Sequence, residues 1–151
     1  MISIELIPPA VSNWEVYGTR IYEIERSIFS EKSLDEEMMR SDINDPNTIL
    51  VLLKDGESIV GFTYALPESE GVARIVDTVL LKEYQGRGFV AMLMARLEAE
   101  LRKNKYVYVT RDVMVENGYA EKVMKNYGSR IVATRELSGT WGRQRYFKIR
   151  L

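Results

Sequence analysis

Residues 77–93 read DTVLLKEYQGRGFVAML. The apolar run Val79-Leu80-Leu81 stops at Lys82-Glu83-Tyr84, a turn follows at Gln85-Gly86-Arg87-Gly88, and an amphipathic pattern starts at once. A strand, a glycine turn and a helix in that order leave unpaired backbone N–H groups and the positive end of a helix dipole just after the turn. Such a helix start is an anion site suited to phosphate, and glycines let a ligand come close to the backbone. Arg87 adds a guanidinium that can pair with phosphate. On these residues alone, the turn reads equally well as a tight connection carrying a solvated arginine. It is not a P-loop, because no Lys-Ser or Lys-Thr follows, and it lacks the third glycine of a dinucleotide fingerprint.

The pattern on either side of the turn sets the fold. Downstream, 87–103 is the longest predicted helix, with Val90, Leu93, Met94, Leu97 and Leu101 on one face. Val90 is expected to bury itself there beside Leu93 and Leu97, while Glu98 and Arg102 pair on the other face. In YVYVTRDVMV the residues Val107, Val109, Val113 and Val115 share one strand face. Arg111 interrupts that face and either binds an acidic group of a substrate or marks an end or bulge of the strand. A second amphipathic helix spans 117–127, capped by Asn117 and ended by Gly128. RIVATREL and RYFKIRL flank SGTWGRQ as a final hairpin.

Upstream, Ile2, Ile4 and Leu6 alternate with polar residues as a strand that Pro8-Pro9 stops. Trp14, Tyr17, Ile21, Ile24 and Ile28 recur at helical spacing, predicting a helix over 13–29. Ser33 and Glu36 form a capping-box pattern opening a short helix through Met39. TILVLLK and SIVGFTYAL are strands joined by DGE, whose Gly56 suits a hairpin turn, and VARIVDTVLL is a further strand. The sum is an α/β protein. A single mixed, mostly antiparallel sheet of about seven strands is flanked by four helices, with one parallel crossover, in a single domain over 1–151.

Composition narrows the chemistry. The 151 residues are 46% hydrophobic, enough for a sizeable core. Lys plus Arg total 21 against 22 Asp plus Glu, a net charge of −1, so nucleic acid is not an expected partner. With no Cys and no His, disulfides, thiol nucleophiles, zinc-finger sites and histidine triads are excluded. No carboxylate cluster has calcium-loop spacing, so no metal is expected. No apolar run approaches the roughly 20 residues that span a membrane, and the first residues lack the pattern of a signal peptide. A cytoplasmic protein without a membrane partner is the expectation.

Two segments carry a family resemblance. QGRGFV resembles the Gln/Arg-x-x-Gly-x-Gly/Ala pyrophosphate motif of the GNAT superfamily, the acetyl-CoA-dependent N-acetyltransferases. NGYAEKVMKNYGS resembles that family's second signature, an Asn, an Ala, an apolar-Tyr pair and Gly-Phe. The order of elements over nearly the whole chain is similar too. The resemblance implies the GNAT fold and acetyl-CoA as cosubstrate. It also implies direct transfer to a primary amine of a small-molecule or peptide acceptor, and many family members are homodimers. It assigns the pyrophosphate to Gln85, Gly86, Arg87, Gly88, Phe89 and Val90, and the pantetheine arm to Val79 and Leu80. A backbone N–H in that pair would meet the thioester oxygen. Asn117 would add an amide contact.

The same resemblance raises catalytic candidates. Asp112, five residues before Asn117, is either a general base working through water or a solvated strand carboxylate. Asp77 is either a polar group beside the acceptor or a surface or salt-bridged Asp. Tyr127 is either a substitute acid or a packed phenol. Three residues depart from the family pattern. Val90 replaces a small residue, Met124 stands where the family often has the Tyr that protonates the departing thiolate, and Ser129 replaces Phe. Val90 and Met124 support an alternative reading, a non-catalytic CoA-binding or interaction domain of the same fold, while Ser129 bears on packing. Lys122 and Lys125 read as a solvated face. Trp141 either leans over the acceptor site or packs on the sheet. Glu23, Glu25, Glu36 and Glu37 on the early helices favour a cationic amine.

Overall fold

The computed structural model describes residues 1–139 and 142–151. Thr140 and Trp141, and with them the expectation attached to Trp141, lie outside the described residues. One mixed sheet organises the chain. Its strands are β1 (Ile2–Ile7), β2 (Ile49–Asp55), β3 (Ser58–Ser69), β4 (Val72–Leu80), β5 (Tyr108–Met114), β6 (Ile131–Gly139) and β7 (Gly142–Arg150). Their spatial order is β1-β2-β3-β4-β5-β7-β6. Every neighbouring pair is antiparallel except β4 and β5, which follow the chain's crossover through a helix.

Four helices cover the two faces: α1 (Thr19–Phe29), α2 (Glu36–Ile43), α3 (Phe89–Lys103) and α4 (Tyr119–Tyr127). On one face Ile21, Ile24, Met39 and Ile43 pack against Leu50, Leu52, Phe62, Tyr64 and Val79. On the other face Leu93, Leu97, Leu101 and Val123 pack against Val51, Leu53, Ile75, Val109 and Phe147. Period-2 alternation along β2 explains the split, because its odd and even residues enter opposite cores.

Local details differ from the expectations. The helix expected over 13–29 is widened at its start, where Trp14–Gly18 forms one π turn before α1. A side chain at Gly18 would collide with the Trp14 indole, so the indole lies flat against that turn. The cap of α2 is Asp35, whose carboxylate accepts the Met38 N–H at 3.0 Å, rather than Ser33, whose hydroxyl donates to the Ser30 carbonyl. Asp35 sits one residue before the helix and so reaches the free N–H groups better. Glu98 is buried on α3, not exposed, although its expected pair with Arg102 forms at 3.2 Å. Positions 94, 97, 98 and 101 make one stripe, and Glu98 occupies a place in it.

Candidate functional site

β4 and β5 pair over only three positions, Val72 with Tyr108, Ala73 with Val109 and Arg74 with Thr110. Beyond them the strands part, and Ile75 to Leu80 has no partner on that side. A bulge between Tyr64 and Ala65 of β3 faces the same stretch, opposite Asp77 and Ile75. It leaves Val76 unpaired and bends β4 at the point of parting. The gap holds a cavity of about 530 Å³, within the usual size range of small-molecule sites. Thr78, Val79 and Leu80 of β4, Arg111 and Val113 of β5, and Tyr127 of α4 line it. Ile28 and Phe29, at the end of α1 on the other face of the sheet, line it as well. The cavity therefore passes through the sheet.

One end of the cavity reaches the glycine turn. Gly86 and Gly88 have φ of +72° and +84°, a conformation that residues with side chains resist. They turn the chain so that α3 starts at Phe89, two residues later than the periodicity indicates, and no side chain caps its free N–H groups. Gln85, Gly86, Gly88, Phe89, Val90 and Ala91 all border the cavity. Gln85 holds the turn by donating from Nε2 to the Leu80 carbonyl at 3.0 Å. Arg87 is exposed outside the lining, with its guanidinium 5.0 Å from the Phe89 ring and 5.6 Å from the Tyr84 ring. Val90 does not bury itself beside Leu93 and Leu97. It is 46% exposed at the cavity, because the first turn of α3 projects beyond the apolar contact that closes over the later turns. The neutral lining of β4 and the open N–H groups at α3 fit a long ligand with a diphosphate at one end and an apolar arm at the other.

Asp77 lies next to Thr78 on the α1 side of the sheet. Its Oδ1 accepts the Thr78 N–H at 3.1 Å, its Oδ2 is closed off with no donor among the described residues, and it does not itself border the cavity. Glu25 of α1 is 1% exposed; its Oε2 accepts the Leu34 N–H at 2.8 Å while Oε1 is likewise unpartnered. The two carboxyl groups are neighbours, and a proton held by one would bridge their free oxygens. Burial lifts the Asp77 carboxyl well above its ordinary range, and Glu25 lifts it further; the Thr78 N–H and the Arg111 charge pull the other way. From the sequence Glu25 reads only with Glu23, Glu36 and Glu37 as acidity favouring a cationic amine, not as a catalytic candidate. Its signal was there, because position 25 completes the buried stripe of Ile21, Ile24 and Ile28, where a carboxylate is out of place.

Asp112 points to the opposite side of β5 from Arg111 and Val113 and pairs with Arg74 at 3.3 Å, outside the cavity lining. Asn117 is also outside it; its Oδ1 accepts the Tyr119 N–H at 3.1 Å, the capping contact expected of it. Tyr127 is in the lining and donates its hydroxyl to Glu98 Oε2 at 3.2 Å. Glu98 also binds Arg130 at 2.7 Å. Burial raises the Tyr127 phenol above its ordinary value, so it stays protonated. Met124 is 46% exposed, with its sulfur 3.1 Å from an Arg145 nitrogen, and does not border the cavity. Lys122 is exposed, as a solvated face requires, and also borders the cavity; its ammonium lies 5.5 Å from the Tyr119 ring centre.

Comparison with known proteins agrees with this architecture. No curated protein sequence matches the chain. The ribosomal-protein-S18-alanine N-acetyltransferase of Escherichia coli superposes with a TM-score of 0.77 at 18% identity, covering 100% of this chain and 93% of that one. A GNAT family acetyltransferase from Elizabethkingia anophelis with acetyl-CoA bound gives 0.70 at 14% identity, covering 99% and 98%. The PaiA N-acetyltransferase of Thermoplasma acidophilum in complex with coenzyme A gives 0.69 at 12% identity, covering 99% of each chain. At these identities the likeness is one of fold. The family profile described as Acetyltransferase (GNAT) family matches residues 18–128, from the turn before α1 to the glycine after α4, and the chain belongs to that family.

Proposed function

We propose that this chain moves an acetyl group from acetyl-CoA directly to a primary amine of an acceptor molecule. One observation carries the reading. A single cavity joins the uncapped start of α3, the parted strands β4 and β5, and the end of α1 on the far face of the sheet. Acetyl-CoA, the cosubstrate of the family, supplies the acetyl group already activated as a thioester. The chain's part is to hold and position. The N–H groups from Gly88 to Ala91, with Arg87 beside them, would hold the diphosphate. The free edge of β4 at Val79 and Leu80 would pair with the amides of the pantetheine arm and offer an N–H to the carbonyl oxygen as charge develops there.

The acceptor amine enters from the α1 side, past Ile28 and Phe29, toward the Asp77–Glu25 pair, which is buried next to the Thr78 lining. As its nitrogen bonds to the acetyl carbon and the carbon–sulfur bond breaks, the amine proton passes by way of water to the pair's carboxylate. The departing sulfur takes a proton from the Tyr127 hydroxyl or from water. Asp112 is the second candidate for the base, acting through water from the other side of β5. A CoA-binding domain without transfer is the competing reading, and the outward position of Met124 favours it. Calorimetry with CoA and detection of released thiol across a panel of amines, polyamines and peptides separate the two. Micromolar CoA binding with amine-dependent thiol release is the expected result. Binding without release from any amine would establish the competing reading, and absence of binding would overturn both.

A further inference from the structure

Arg111 is hard to account for as a structural residue. It occupies a place among valines on the α3–α4 face of β5 and is the first residue past the last paired position, Arg74 with Thr110. It therefore stands at the apex of the gap, and it lines the cavity. A guanidinium carries five N–H donors and a permanent charge, and proteins bury one only with a partner. Among the described residues, no carboxylate lies within ion-pair distance of it; the Tyr127 hydroxyl beside it is a neutral partner, and its Nε is buried with no acceptor. The two carboxyl groups that act on it from a distance, Asp77 and Glu98, are committed elsewhere. Glu98 holds Arg130, Arg102 and the Tyr127 hydroxyl. Asp77 holds the Thr78 N–H and lies beside Glu25. The diphosphate site at the glycine turn has its own donors, so a phosphate there does not answer the need at the apex.

We infer that Arg111 is a carboxylate receptor, and that one of the two reactants meeting at the parted strands carries a carboxylate close to its reacting atom. The inference rests on the acetyltransfer reading and narrows its substrate class. Two sources have the same chemistry: an amino-acid acceptor whose ammonium faces the Asp77–Glu25 pair while its carboxylate faces Arg111, and a dicarboxylic acyl thioester whose far end reaches Arg111. The planar guanidinium matches either carboxylate with two parallel hydrogen bonds, which an ammonium cannot do.

The experiment compares matched pairs. On the acceptor arm, amino acids are tested against their own amides with acetyl-CoA. On the donor arm, succinyl-CoA is tested against acetyl-CoA with one neutral amine. Released thiol reads turnover without background, because the chain has no Cys. Calorimetric titration of the same pairs reads the preference even without turnover. Wild type should favour the carboxylate member on one arm by at least about tenfold, through KM or Kd. Arg111→Gln should shrink that preference by about 10- to 100-fold, and Arg111→Lys should restore part of it. The arm that shows the effect names the source. Equal treatment of both members on both arms, or an Arg111→Gln change that falls equally on both members of each pair, overturns the inference and leaves acetyl transfer standing. Absence of CoA binding would instead overturn the transfer reading. Should Arg111→Gln melt far below wild type, the Arg111→Lys comparison alone decides.

Discussion

Asp77 shows how burial sets the state of a single carboxyl group. Its folded pKa lies above its unfolded value, so its contribution to stability is full below the ordinary carboxylate range and is lost as pH rises through the folded value. Asn copies the protonated form, since its amide can donate to Glu25 and its oxygen can keep the Thr78 N–H. Asp77→Asn is therefore expected to melt higher than wild type at neutral pH, by about 2–4 °C for each kcal/mol relieved, and to show a flatter dependence of Tm on pH. The same change should cut kcat/KM at least about tenfold, with CoA affinity intact, if the pair is the base. A lower Tm at neutral pH would show that the carboxylate is the stabilised form. At Tyr127, removal of the hydroxyl by Tyr127→Phe takes one donor from Glu98, a loss of about 1 kcal/mol in stability. It should also lower kcat more than KM. Because Met124 faces Arg145 instead of the cavity, Met124→Tyr in that background should leave kcat low; recovery would place position 124 at the leaving sulfur.

The glycine turn and α3 act as one element. Gly88 at φ +84° and Gly56 at φ +60° would each resist a side chain by about 1–2 kcal/mol, and neither would meet protein atoms with an added Cβ. Only Gly88 borders the cavity. Gly88→Ala and Gly56→Ala should thus lose similar stability in a thermal melt, while Gly88→Ala alone lowers CoA affinity, by about tenfold in calorimetry. Equal affinities in the two variants would remove the diphosphate from this turn. Most of this element was legible in the sequence, because two glycines between a strand pattern and a helix pattern mark a tight turn into a helix, although those residues alone left its use as an anion site open. The exposure of Val90 was not legible. Periodicity assigns a face to a residue, but it does not say how far along the helix the opposing core extends.

At the scale of the molecule, the sheet is two blocks, β1 to β4 and β5 to β7, joined through three paired positions and the packing of α3 and α4. A ligand in the gap touches both blocks. CoA at 100 times its Kd should add about 2.7 kcal/mol, or about 5–11 °C in Tm for a chain of this length. Amide exchange should slow along Arg111 to Met114 and Ile75 to Leu80 when CoA is present. A rise in Tm with protection confined to the start of α3 would mean that the arm does not enter the gap.

The sequence by itself determined the elements, their order, the α/β class and the glycine turn, because these depend on local periodicity, turn chemistry and unpaired backbone groups. It also marked Asp77 and Arg111 as charged residues interrupting apolar runs, while Tyr127 was raised only by the family resemblance. Tertiary structure alone decided which of them meet. The three-position pairing of β4 with β5 opens the cavity, the bulge at Val76 puts Asp77 on the α1 side, and α1 brings Glu25 to it across 52 residues of chain, the interval from position 25 to 77. Asp112 and Arg111, adjacent in sequence, go to opposite sides of the sheet for the same reason that all neighbours on a strand do. Only the packing of two helix layers on that sheet determines which of the two residues borders the cavity.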